Sequence, residues 1–236
     1  MKTLGAADLT AAGATRVMAV FAHPDDAELA CFGTLAALCA AGHEVYVVTM
    51  TNGANSVSPR AADRVREAQA SATLIGVQLI VGDHPDGAVG LRTSSYAFVR
   101  EHLLRIRPHA VITHYTDPSF LDDHQDHQVT GRIALTLAKR DPSVKMILQA
   151  EPPVVISGFQ PDVFVDITDS MPKKLAALAQ FQSESAKPYM DEGFVQARAR
   201  FWALQARLFA VEKDQYYESF QLVRVQVADP TALIRS

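Results

Sequence analysis

The sequence predicts a three-layer α/β fold, a mostly parallel sheet with helices on both faces, and three observations predict it. Short β-branched runs alternate with longer stretches of helical period. Runs such as Val17 to Ala22 are apolar throughout, as strands covered on both sides are. The residues that carry chemistry cluster after two of these runs, where an open α/β sheet binds its ligands. Those two strands become neighbours if the strands, numbered in order of appearance, are arranged about 3-2-1-4-5, so the expected architecture is Rossmann-like. The 236 residues read as a single domain over 1–236, without repeats, low-complexity tracts or linkers.

The elements follow in order. "RVMAVFA" (16–22) is the first strand, and "DAELACFGTLAALCAAG" (26–42) a helix that stops at Gly42, a residue suited to the left-handed position after a helix. "EVYVVTMT" (44–51) is the second strand. After the turn "TNGANSVSPR", the segment "AADRVREAQASATLIG" (61–76) is a helix with Gly76 as its stop. "VQLIVG" (77–82) is the third strand. "SSYAFVREHLLRIR" (94–107) is an amphipathic helix ended by Pro108. "HAVITHY" (109–115) is the fourth strand, followed by a loop dense in Asp and His and a helix over about 126–140. Further strands are expected at 144–149 and 162–167. The last third reads as two helices, "PKKLAALAQFQSES" (172–185) and Asp191 to Glu212, and a final strand "YYESFQLVRVQV" (216–227).

Composition narrows the function. A formal charge of −4 with no basic block argues against nucleic acid and anionic membrane surfaces, leaving a small molecule as the expected partner. The two cysteines, Cys31 and Cys39, have no CxxC spacing, so neither a disulfide framework nor a thiolate zinc site is indicated, and a reducing compartment fits. The first residues lack the apolar core of a secretion signal, and no run approaches the roughly 20 apolar residues that span a bilayer. A soluble cytoplasmic protein is expected. The stripe "FVQARARFWALQARLF" (194–209), with Trp202, reads as packing or a subunit interface.

Two polar motifs stand out. "AHPDDAE" (22–28) follows the first strand and "DPSFLDDHQDHQ" (117–128) the fourth, and unpaired charge at the mouth of a buried strand is costly. Shared between them, one cation explains both. Two imidazoles and a carboxylate suit a borderline-soft divalent ion, and three protein ligands leave a position open for water. His124 and His127 are spaced to face the same way at a helix start. The positive end of a helix also disfavours protonated imidazole and so should keep a ligand histidine neutral. Taken singly, Asp26 and Asp126 would be ordinary helix caps and Asp25 a solvated turn residue; it is the pairing of the motifs that argues for a site. His43, His84, His102, His109 and His114 have no partner spacing and read as structural.

"AHPDDAE" after the first strand, paired with "HQDHQ" after the fourth, resembles the PIG-L/LmbE-like family of zinc-dependent N-deacetylases, which remove acetyl from N-acetylglucosaminyl conjugates. The resemblance continues through "TNG" (51–53), "RVREAQASATLIGV" (64–77), "HPDGAV" (84–89), "IRPHAVITHY" (106–115) and "VFVDITDSMPKKLAAL" (163–178). It implies that His23, Asp26 and His127 hold Zn²⁺, or another divalent ion such as Fe²⁺, and that Asp25 is the general base. It further implies a protonated His124 that stabilises the oxyanion or donates to the leaving amine, and an Asp126 that orients an imidazole. Arg64 and Asp86 match positions that contact the sugar, although Arg64 reads equally as a helix-surface residue and Asp86 as part of a turn. The implied substrate is an N-acetylglucosamine-type amino sugar or its conjugate, the alternatives being a larger amide such as a thiol conjugate or a step in natural-product glycoside biosynthesis. Assembly into a homo-oligomer is implied as well. The chain departs from the family where Cys31-Phe32-Gly33-Thr34 replaces Gly-Gly-Thr, which puts a ring near the helix start and should narrow the pocket. It departs again at Asp122, where relatives carry an aromatic, and at Phe181-Gln182-Ser183-Glu184, which replaces H-x-S-Q.

The chemistry stands apart from the resemblance. Amide hydrolysis at neutral pH needs a strong nucleophile, and bound Zn²⁺ lowers the pKa of its water to about 7. A neighbouring base contributes about 10²–10⁴-fold and a donor aimed at the oxyanion about 10²–10³-fold. Two imidazoles and a carboxylate also form the facial set of non-haem Fe(II) oxygenases, but a carboxylate base beside the ion has no use there. A dinucleotide site is disfavoured because the first turn reads H-P-D-D, whose carboxylates repel a pyrophosphate.

Overall fold

A computed structural model describes residues 2–4, 16–55, 63–116, 124–154, 158–207 and 214–226. The strands are β1 (Lys2–Leu4), β2 (Arg16–Phe21), β3 (Glu44–Thr51), β4 (Gln78–His84), β5 (Ala110–His114), β6 (Met146–Ala150), β7 (Val163–Asp166) and β8 (Tyr217–Val225). The helices are α1 (Asp26–Ala30), α2 (Phe32–Ala40), α3 (Arg64–Thr73), α4 (Thr93–Ile106), α5 (Gln125–Ala138), α6 (Met171–Leu178) and α7 (Glu192–Arg207). Among the described residues no helix is long and apolar enough to cross a membrane.

One eight-stranded sheet runs β1-β7-β8-β6-β5-β2-β3-β4. From β4 to β6 it is parallel and reproduces the expected 3-2-1-4-5 order. β8 then inserts antiparallel between β6 and β7. β1 adds a further edge, parallel to β7. The sequence reading missed it, because three residues are too few to display a period.

The pleat of β2 explains the three layers. Val17, Ala19 and Phe21 belong to one apolar cluster with Ala27 of α1, Cys31 at the α1–α2 junction, Leu35 and Leu38 of α2, and Ile167 and Met171 on the α6 side. Met18 and Val20 belong to the other, with Val99 and Leu103 of α4 and Ile133 and Ala134 of α5. Successive strand side chains point to opposite faces, so a run that is apolar at every position must be covered twice. Phe21, Ile112 and Ile147 are accordingly at 0–1% exposure.

Two helices differ from the expected spans. The segment 26–42 is two helices, because the backbone breaks at Cys31 (φ −150°). The second one starts where Glu218 of β8 accepts hydrogen bonds from the Gly33 and Thr34 N–H groups at 3.0 and 2.8 Å, serving as a carboxylate cap supplied from across the fold. The ring of Phe32, expected to narrow the pocket, is wholly buried. Helix α6 ends at Leu178 rather than continuing to 185. Past its end, the Ser183 N–H and hydroxyl donate to Glu67 on α3, a long-range tie that holds this segment as a turn against α3.

Lys174 donates to Glu218 at 2.6 Å, and both are about 95% buried. A buried pair broken on one side leaves an uncompensated charge. Glu218→Ala is therefore expected to cost about 3–5 kcal/mol and to lower Tm by roughly 6–20 °C in a thermal scan. The double variant Glu218→Ala/Lys174→Met should recover part of that loss, since no charge is then left unpaired.

Candidate active site

The strand order reverses between β2 and β5, which pair in parallel with Val20 opposite Thr113. Their carboxyl ends open one crevice, as the topology requires, and both motifs lie in it. After β2, Asp25 takes φ +109°, a conformation that non-glycine residues rarely adopt. Such strain persists only where the surroundings impose it. Here Arg64 does so: one terminal guanidinium nitrogen bonds Asp25 Oδ1 at 2.6 Å and its Nε donates to the Pro24 carbonyl at 2.8 Å. Arg64 is therefore not a surface residue, being 4% exposed. Gly53 (φ +70°) lies against it, and a Cβ there would come within 2.6 Å of Arg64 Cδ. This gives the TNG turn a physical reason.

Asp26 sits among imidazoles. Its Oδ2 is 3.3 Å from His23 Nδ1 and 3.3 Å from His114 Nε2, while Oδ1 is 3.3 Å from His127 Nε2. Oδ2 also accepts the His23 N–H at 2.7 Å, so Asp26 does not act as the cap of α1. The His114 and His127 rings stack, centroids 4.2 Å apart. His114 Nε2 accepts from the Ala22 N–H at 3.0 Å. Helix α5 brings His127 this close because Gly131 has no side chain: a Cβ there would lie 2.6 Å from Thr116 Cγ2 and 2.9 Å from the His114 carbonyl oxygen. Burial works against the charge on Asp26, but the imidazoles of His127, His114 and His23 outweigh it and hold its carboxyl well below the usual range.

His23 Nε2 faces the other way, 2.9 Å from Asp86 Oδ1 and 3.3 Å from Asp126 Oδ2. Burial would favour the neutral ring, yet the charge of Asp26 and bonds to Asp126, Asp26 and Asp86 push the His23 pKa up to about 12. This runs against the expectation of a neutral imidazole, because three carboxylates outweigh one helix end. Asp126 is fixed by the Gly87 and Val89 N–H groups at 2.7 and 3.0 Å, and so orients His23. The two oxygens of Asp86, a position the resemblance implies on the sugar, go to His23 and, at 2.7 Å, to the Asn55 N–H.

His124 also departs from its expected state. Its Nδ1 accepts the Asp126 N–H at 3.1 Å and caps α5. A nitrogen that accepts cannot carry a proton, so the ring is neutral with Nε2 as its donor. Burial and the charges of His127 and His23 lower its pKa in the same direction. Two groups of donors could hold a metal ion, each with its ligand atoms within 4.8 Å of one another: His23, Asp26 and His127, and His23, His124 and Asp126. In the second group Asp126 is already engaged by two backbone donors, so the first is the better ligand set.

Sequence reasoning missed four contributors. His114, read as structural, ends the strand beside β2, and that position was its only signal. Glu67 lay in the family-like stretch 64–77 and Glu184 at the departure from H-x-S-Q, but neither was given a role; Lys187, in the turn after α6, carried no signal. Glu184 is 3.8 Å from Arg64 and pairs with Lys187. Glu67 anchors Ser183 and hence this turn. Asp122 lies outside the described residues.

The family model "PIG-L: GlcNAc-PI de-N-acetylase" matches residues 18–138, from the first motif through the second. The chain belongs to the PIG-L family. The uncharacterized deacetylase YaiS of Escherichia coli is 29% identical over 187 residues, covering 77% of this chain and 99% of that protein. The 1D-myo-inositol 2-acetamido-2-deoxy-alpha-D-glucopyranoside deacetylase of Corynebacterium glutamicum is 32% identical over 143 residues, 48% of this chain and 49% of that relative. In fold, the PIG-L chain is similar to the crystal structure of GalB, the 4-carboxy-2-hydroxymuconate hydratase of Pseudomonas putida, with TM-score 0.77, 21% identity and coverage of 91% and 98%.

Because Asp25 is 2% exposed and paired to Arg64, Arg64→Met should destabilise the protein by about 3–5 kcal/mol, the range for one-sided loss of a buried pair. Denaturant melts would read it, and an unchanged midpoint would show that the pair does not hold the turn.

Proposed function

We propose that the chain is a divalent-metal-dependent hydrolase that removes the acetyl group from an N-acetylglucosamine-type amino sugar or its conjugate. The observation that carries this is the convergence of His23, Asp26 and His127 ligand atoms within 4.8 Å beside the strained, Arg64-held Asp25. The donor set fits Zn²⁺: two imidazole nitrogens, one carboxylate and room for a fourth ligand, with Fe²⁺ as the other ion of suitable ligand preference. Bound there, the ion would supply Lewis acidity and bring the pKa of a water to about 7.

The chain's own groups divide the remaining work. Asp25, aimed by Arg64 and with its pKa pushed by burial up to about 6 against the opposing charge of Arg64, accepts a proton from the attacking water and returns it to the departing nitrogen. His124 offers its Nε2–H to the carbonyl oxygen as negative charge develops; with Nδ1 already accepting, it acts as a hydrogen-bond donor rather than an acid. Asp126 and Asp86 fix the His23 ring, a geometry whose loss commonly costs 10–100-fold in metal affinity or activity. An amino-sugar substrate is supported by the family description and by the substrate printed for the Corynebacterium relative. The fold also occurs in a hydratase, so fold alone does not choose the reaction. The base beside the ion suits amide hydrolysis, of a larger conjugate as well as of a simple acetamide.

Metal-stripped protein titrated with Zn²⁺ should take up one equivalent, and metal analysis should show that stoichiometry lost in Asp26→Ala and His127→Ala but kept in His124→Ala. The reverse pattern would move the site to the second donor group. Asp25→Asn should retain the ion while acetate release from N-acetylglucosaminides drops about 10²–10⁴-fold. Turnover undiminished in that variant would remove Asp25 as the base.

A further inference from the structure

Beside the catalytic crevice lies a second concavity of about 820 Å³, within the usual range for small-molecule sites. One wall is the turn after β6, with Pro152, Pro153 and Val154; the other is a face of α7 with Phe194, Phe201 and Trp202. Phe194, Phe201 and Val154 are 44%, 51% and 57% exposed, a concentration of open apolar surface that is usually functional. The polar groups at its base are already engaged. Arg198 pairs with Glu151 at 2.7 Å and donates to the Pro152 and Pro153 carbonyls, which fixes the proline wall and turns the charges away from an incoming ligand. A free sugar or an anion would find little to bond there.

The groove joins the catalytic residues at two points. The ring of Tyr189 lines it, while the Tyr189 hydroxyl bonds Lys187, which pairs with Glu184 beside Arg64. Phe159 also lines it and meets Tyr115, the residue directly after His114, edge to face at 5.3 Å between centroids. A group attached to a sugar in the crevice is therefore adjacent to the groove, and a substituent bound in it would be apolar. We infer that this groove is the subsite for an apolar aglycone, so that the preferred substrates are N-acetylglucosaminides of hydrophobic alcohols rather than the free sugar. The inference rests on the deacetylase reading and specifies its substrate class. A second copy of the chain is the other occupant such a face could have, but a stable interface needs about 800 Å² of complementary surface per partner, whereas this one is a concave, ligand-sized cleft linked to the site residues through Tyr189 and Phe159.

Trp202 is the sole tryptophan, so binding can be read without turnover. Octyl 2-acetamido-2-deoxy-glucopyranoside, kept below its micelle concentration, should change Trp202 emission saturably, and N-acetylglucosamine should not. With the metal-loaded enzyme, kcat/KM for acetate release should favour the octyl glycoside by at least about tenfold, the equivalent of burying some two methylenes. In Phe194→Ala/Phe201→Ala that preference should fall about tenfold, while Leu104→Ala, exposed on α4 away from the groove, should keep it. Equal kcat/KM for glycoside and free sugar would overturn the subsite and leave the deacetylase reading in place. So would a double variant that keeps its preference but loses self-association in sedimentation velocity. If no acetamide is cleaved while the emission still saturates with the octyl glycoside alone, the subsite stands and the reaction is wrong.

Discussion

A buried carboxylate must be compensated, and at the switch point of this sheet the compensation is shared among several side chains. Asp26 is 7% exposed and has imidazole nitrogens at 3.3 Å on three sides, from His23, His114 and His127. His23 in turn faces three carboxylates, those of Asp26, Asp86 and Asp126. Asp26 and His23 each have several partners, so the compensation of their charges is spread over the network. The parallel order around β2 and β5 is what brings its two halves, about a hundred positions apart in sequence, to one place.

Much of this was legible in the sequence. A run apolar at every position implied two covered faces, and Val17 and Met18 do belong to opposite clusters. The 3-2-1-4-5 core followed from locating the two polar motifs at strand ends. The long-range groups were not legible. Glu218 caps α2 from a strand more than 180 residues away, and no local pattern records such a contact. Glu67 stops the continuation of α6 by capturing Ser183, so a segment with good helical period turns instead. β1 was invisible because three residues display no alternation.

At the site, residue identity could be read but protonation could not. The motifs marked His23, Asp25, Asp26, His124, Asp126 and His127 as a group, and the structure brings them together. Whether a histidine carries a proton depends on which neighbours face each nitrogen, and those neighbours arrive from separate loops. Asp86 and Asp126 reverse the expected neutrality of His23, and one backbone N–H settles the tautomer of His124. His114 escaped notice for the same reason, since its partners, Asp26 and the stacked ring of His127, lie on other elements.

Gly131 shows how a position outside the proposed ligand set bears on its geometry. The gap between α5 and the end of β5 is set by main-chain contact, with the His114 carbonyl where a side chain at 131 would otherwise stand. The approach of His127 to Asp26 and His23 thus depends on how two backbones touch. If the proposed ion is held there, its size would be discriminated by a packing position that never meets it.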